Sequence, residues 1–85
     1  MKQFDFEVQS PVGIHARPAL LLVENARTYQ SKVIIEKGTQ KANAKNIISL
    51  LTLRAQQNEV VTFVIEGADE EKAEEELKEF CSHNL

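Results

Sequence analysis

With Cys81 as its only cysteine, this chain cannot build a disulfide framework, and its place in the apolar pattern of the last predicted helix reads as a small buried hydrophobe. Tryptophan is absent, and no basic stripe interleaved with aromatics is present to bind nucleic acid. Long apolar runs are missing too. Stretches such as Ala19 to Val23 fall far below the roughly 20 residues that span a bilayer, and no secretory h-region is present, so no membrane insertion is expected and the cytoplasm is the expected compartment. Positive charge is the minority: ten Lys and Arg face thirteen Asp and Glu, for a net charge of −3. Between Asp69 and Glu79 seven acids stand against Lys72 and Lys78, a net −5 that leaves the remainder at +2. Such a chain is a poor nucleic-acid binder, and the acid-rich run reads as the solvated face of a helix.

What is present is a single domain over residues 1–85, small enough to bury only about 60–65% of its unfolded surface and leaving no room for a deep active site. Its most informative segment is Gly13-Ile14-His15-Ala16-Arg17-Pro18-Ala19. Proline is tolerated in the first helical turn, where its missing N–H was an orphan donor, so a helix must begin within a residue or two of His15. The open amides there, expected from Ala16 and Arg17, favour an anion, and the Arg17 guanidinium adds a fork that suits phosphate. An ordinary imidazole, with a pKa of about 6.5, is partly neutral and nucleophilic near pH 7 and can take and release a phosphoryl group. Gly13 permits a positive φ or a close backbone approach just upstream. A histidine at a helix start also serves as a simple capping or solvated residue, and the segment alone leaves that reading open.

Phe4, Phe6 and Val8 alternate with polar residues from Gln3 to Gln9 and predict a half-buried strand ended by Ser10-Pro11. From Pro18 to Tyr29 the positions Ala19, Leu22, Val23, Ala26 and Tyr29 make one helical stripe. Lys32–Glu36 and Gln40–Ala44 around Lys37-Gly38-Thr39 predict a hairpin. Asn46 is a good N-cap for a short helix through Ile47, Ile48, Leu50, Leu51 and Leu53, and Glu59–Glu66 is a β-rich run closed by Gly67. Asp69 is placed to cap a final helix carrying acids in its first turn and Ala73, Leu77, Phe80 and Cys81 on one face. The order βαββαβα suits a two-layer sandwich, a four-stranded antiparallel or mixed sheet with helices on one face. Ferredoxin-like folds share most of that order and are not separated by it.

Two faces do not fit the core. Leu20 and Leu21 fall off the stripe of the first helix, on the side of Arg17 and Glu24, and the apolar residues of the second helix cover more than half its circumference. Either the core is wide there or part of this surface is exposed for a partner.

The His-Ala-Arg-Pro-Ala block, with Val23, Ala26 and Asn43-Ala44-Lys45 ahead of an apolar helix, resembles the HPr family, the histidine-containing phosphocarriers of the bacterial sugar phosphotransferase system. The resemblance runs the length of the chain. It implies an α+β open-faced sandwich with an antiparallel sheet ordered 1-4-2-3 and three helices on one face. It implies that His15 is phosphorylated at Nδ1 by phospho-enzyme I, with phosphoenolpyruvate as the first donor, and passes the group to enzyme IIA domains, while Arg17 steadies it. This is a carrier rather than a stand-alone enzyme, and a monomer without cofactor. The family assigns Ile47, Ile48 and Leu51, beside His15, to partner docking, with Leu20, Leu21 and Glu24 sharing that face.

Departures matter as well. Asn46 stands where many Gram-positive members carry a regulatory serine, so it keeps the cap and cannot take a phosphate. Ser49 and Arg54 replace glycines common inside and after the second helix, and Val12 is bulkier and less polar than usual. The alternative function is an HPr-like regulatory module that docks partners in catabolite or nitrogen control without relaying phosphate to sugars. A metal or hydrolytic site built on His15 and His83 is weaker, because two histidines without carboxylates or thiols at ligand spacing make a poor set; no metal is expected.

Overall fold

A computed structural model describes all 85 residues. The alternating segment forms β1 (Lys2–Glu7), followed by α1 (Ala16–Ala26), β2 (Lys32–Lys37), β3 (Gln40–Asn43), α2 (Ile47–Thr52), β4 (Val60–Glu66) and α3 (Glu70–Asn84). The sheet is ordered β1-β4-β2-β3 and every pairing is antiparallel. That settles the ambiguity in favour of the open-faced sandwich, with the predicted 1-4-2-3 order. Phe63 is the centre of the register, opposite Phe4 on one side and Ile35 on the other, and its ring stacks on Phe4 at 4.7 Å between centroids.

Period two divides the sheet. Val33, Ile35, Val61, Phe63 and Ile65 are fully buried under the helices, while Ile34, Thr62 and Val64 between them lie half-exposed on the open face. From the helices, Ala19, Leu22, Val23, Ala26, Leu50, Leu53, Ala73, Leu77 and Cys81 complete one core. Burial pushes the Cys81 thiol up to about 12, which fits the inert role read from its spacing. Phe4 and Phe6 are only half-buried, because β1 is an edge strand.

The elements end earlier than the apolar pattern does. The strand predicted to Gln9 stops at Glu7, although Val8 beyond it is fully buried. α1 stops at Ala26, where Arg27 and Thr28 donate to Val23 and Asn25 carbonyls and the Thr28 hydroxyl donates to Asn25 as well. Tyr29 is buried all the same: its hydroxyl donates to the Glu76 carboxylate on α3, and burial raises its pKa above the usual phenol range. The stripe predicted a core residue correctly and its secondary structure wrongly.

Asp69 corrects a second expectation. It occupies the N-cap position of α3, but its side chain caps nothing there. Instead its carboxylate accepts the Ser31 hydroxyl at 2.5 Å and the amides of Gln30 and Ser31 at 2.9 Å each, tying the α1–β2 turn to the start of α3. Ser31 is fully buried, so those donors need this acceptor more than the exposed helix end does. Glu70 takes over locally by accepting the Gly67 amide at 3.1 Å. The Ser31 hydroxyl first, and the Gln30 amide next, hold the Asp69 carboxyl down to about 2. A depressed carboxylate contributes stability that is present above the ordinary pKa near 4 and is lost as pH falls toward the folded value. The melting temperature of the parent is therefore expected to exceed that of Asp69→Asn at pH 6 and to converge with it toward pH 2. A gap that stays constant in melts across that range contradicts the assignment.

Candidate functional site

The turn ahead of α1 is fixed from three directions. Gly13 sits at φ +71°, its amide donates to the Ser10 carbonyl at 2.9 Å, and a Cβ there would collide with the Ala55 carbonyl oxygen. The Ile14 amide donates to that same oxygen at 2.9 Å while its side chain enters the core. His15 follows in extended backbone at the N-cap, exposed to solvent, and its carbonyl accepts the Ala19 amide at 3.0 Å. Pro18 is the third helical residue, where it sacrifices no hydrogen bond.

Because the His15 side chain makes no capping bond, the amides of Ala16 and Arg17 have no acceptor within the chain. Arg17 is exposed and its guanidinium forms no ion pair or hydrogen bond. Consecutive residues at the positive end of a helix thus supply an imidazole, two free amides and an unpaired guanidinium, a set of groups able to hold a dianionic phosphoryl group by charge-assisted hydrogen bonds. The ring is not wholly free. His15 Nδ1 lies 3.1 Å from the Gly13 carbonyl oxygen, which only accepts, so Nδ1 carries the proton of the neutral ring and Nε2 carries the lone pair. Acceptance at Nδ1, which the resemblance implies, requires the ring to leave Gly13 with its proton moved to Nε2.

The residues expected to dock partners divide. Leu20 is 48% exposed, Leu21 39% and Ile48 72%, while Leu51 is exposed on the same helix as Ile48. Glu24 is exposed on α1. Ile47 is less outward than the resemblance implies: it is half-buried and packs against the core. Leu50 and Leu53 are the buried pair that seats this six-residue helix. Ile48→Asp is therefore expected to leave the melting temperature within about 2 °C of the parent, whereas Ile47→Asp is expected to lower it clearly; equal losses in thermal melts contradict this division.

Asn46 Oδ1 accepts the Ser49 amide at 3.0 Å, the cap read from the sequence. Ser49 Oγ accepts the Asn43 amide at 2.9 Å, so the serine that replaces a glycine stitches α2 to β3. His83 is exposed near the end of α3, and no three His, Cys, Asp or Glu side chains gather as metal ligands. No helix is long and apolar enough to cross a membrane. Sequence reasoning gave Arg54 no role beyond replacing a glycine. It follows α2 at φ +50°, and with Ile48, Leu51 and Thr52 it lines one surface depression.

Residues 2–83 match the family model described as the PTS HPr component phosphorylation site. Phosphocarrier protein HPr of Buchnera aphidicola subsp. Baizongia pistaciae is 40% identical over 82 residues, 96% of each chain. The HPr-like protein Crh of Bacillus subtilis is 39% identical over 85 residues, the full length of both. Among solved structures, HPr-C-His from Thermoanaerobacter tengcongensis superposes with a TM-score of 0.93 at 37% identity, covering 99% of this chain and 94% of that one. A structure of B. subtilis Crh, described as a domain-swapped dimer, superposes at 0.78 with 36% identity over 100% and 98% of the two chains. With this fold, this site and these relatives, the chain belongs to the HPr family of phosphocarriers.

Proposed function

We propose that this protein accepts a phosphoryl group on His15 from phosphorylated enzyme I and delivers it to enzyme IIA domains for sugar uptake, working as a single-domain monomer in the bacterial cytoplasm. The observation that carries this reading is the exposed His15 at the N-cap of α1, followed by the free amides of Ala16 and Arg17 and by the unpaired Arg17 guanidinium. In the transfer, a lone pair of the ring attacks phosphorus, and the bond to the donor group on enzyme I breaks with its electron pair going back to that group. The other His15 nitrogen keeps the proton, and the same exchange runs toward the acceptor. Two amides and one guanidinium orient the group without holding it deeply, since each exposed contact contributes about 0.3–1 kcal/mol. The docking protein supplies the remaining alignment, as phosphoryl transfer depends mostly on position and charge.

The full-length likeness to Crh favours a second reading, an HPr-like module that regulates partners by docking. Docking alone has no use for a nucleophile at an open helix end, which is why the carrier reading stands first. On either reading Asn46 keeps the α2 cap without a hydroxyl for a kinase to modify. Complementation separates the two. The parent is expected to restore sugar uptake in a strain lacking HPr; expression without uptake favours the regulatory module.

A further inference from the structure

Arg54 is an outlier that the core does not explain. A φ of +50° is uncommon for a residue with a side chain, and the position just after a helix is where glycine is ordinarily preferred. Its backbone is held: the carbonyl accepts Lys37 Nζ at 3.2 Å, and the next residue, Ala55, accepts the Ile14 amide. The loop bearing Arg54 is therefore bonded directly to the turn that presents His15. The side chain is exposed, makes no ion pair or hydrogen bond, and borders the depression formed with Ile48 and Leu51.

Charge is segregated around it. Arg27 donates to the Lys45 carbonyl, whereas Arg17 and Arg54, on the two segments that meet at Gly13 and Ile14, are both unengaged. Seven acids are gathered at the start and along the length of α3, which packs against β1, β4 and α1. Glu24 is the one carboxylate expected on the docking face, out on α1, and the Glu59 carboxylate on the Arg54 loop is already engaged, its Oε1 accepting the Gln56 amide at 2.7 Å and lying 3.6 Å from Lys37 Nζ. Two unpaired guanidiniums, Arg54 beside the exposed Ile48 and Leu51 and Arg17 at the start of α1, with seven carboxylates gathered at α3, orient the chain toward an acidic surface.

We propose that Arg54 is a specificity-determining residue of the docking face, its guanidinium pairing with a carboxylate that enzyme I presents beside the apolar contact to Ile48 and Leu51. This rests on the carrier reading above. The left-handed backbone then has a use, since it aims a charged side chain from a position where glycine would leave none.

The test is steady-state phosphorylation of the parent and of Arg54→Glu, Arg54→Gly and Arg54→Lys by enzyme I and phosphoenolpyruvate at low and high ionic strength. Arg54→Glu is expected to raise KM for this protein about five- to ten-fold with kcat little changed. The difference should shrink as salt rises. Arg54→Gly, which relieves the backbone and removes the charge, should raise KM less without lowering the melting temperature, and Arg54→Lys should restore most of the affinity. Unchanged KM in Arg54→Glu, with the parent phosphorylated normally, overturns the proposal while leaving the carrier reading intact. An effect confined to kcat also overturns it, by placing the guanidinium on the phosphoryl group. A parent that takes no phosphate overturns the carrier reading, and this proposal with it.

Discussion

His15→Ala is expected to accept no phosphoryl group from enzyme I, and Arg17→Glu to accept it roughly 10²-fold more slowly, with both variants melting within about 2 °C of the parent. The separation of activity from stability follows from where these side chains stand. Neither belongs to the core, the Arg17 side chain makes no hydrogen bond or ion pair, and the one side-chain bond of His15 is to the carbonyl of Gly13, two residues away. Alanine removes the only candidate nucleophile at the open end of α1. Glutamate at position 17 leaves the Ala16 and Arg17 amides in place but sets a negative charge beside an arriving dianion, reversing the electrostatic contribution. Radiolabelled transfer assays beside thermal melts check both halves. Parallel loss of stability and transfer would mean that the site is a structural element.

Gly13→Ala is expected to cost about 2–4 kcal/mol of stability, which adds the backbone strain of φ +71° to the collision of a new Cβ with its surroundings. The atoms in the way are backbone, the Ala55 carbonyl oxygen and Gln56 Cα at 3.0 Å, so no side chain can swing aside. In a domain of this size that loss lowers the melting temperature by roughly 10 °C or more. The Ile14 amide bonds the same oxygen, so whatever relieves the clash also shifts His15, and transfer should slow along with the stability loss. Gly38→Ala is the control. Gly38 also has a positive φ, +61°, but open space around it, so strain alone acts there and the cost is expected near 1 kcal/mol. Equal effects at the two glycines in chemical denaturation would show that the contact with Ala55 does not matter.

Legibility in the sequence followed how local the cause was. The start of α1 was readable because Pro18 restricts helix geometry by itself, and the Asn46 cap because its acceptor reaches only three residues along the chain. Leu20 and Leu21 could be placed in solvent by angular projection alone, since they fall off a stripe that is filled, whereas Ile48 needed the family resemblance to be placed outward. The misses came from distant partners. Nothing near Asp69 reveals that Ser31, 38 residues away, needs its carboxylate, and the alternative of a helix cap is locally just as good. Tyr29 keeps helical spacing after the helix has ended because α3 offers its hydroxyl an acceptor. For Ile47 the projection could not say which side of a crowded six-residue helix faces the sheet. The proton on His15 Nδ1 was equally hidden, because it depends on a carbonyl that the Gly13 turn folds back toward the ring.

The most direct measurement is incubation of the unmodified protein with phosphoenolpyruvate and enzyme I, followed by peptide mapping of the phosphoryl group under conditions that preserve phosphohistidine. One acid-labile phosphoryl group per chain, on the peptide containing His15, is the predicted result. No incorporation, or incorporation on any other residue, would contradict it.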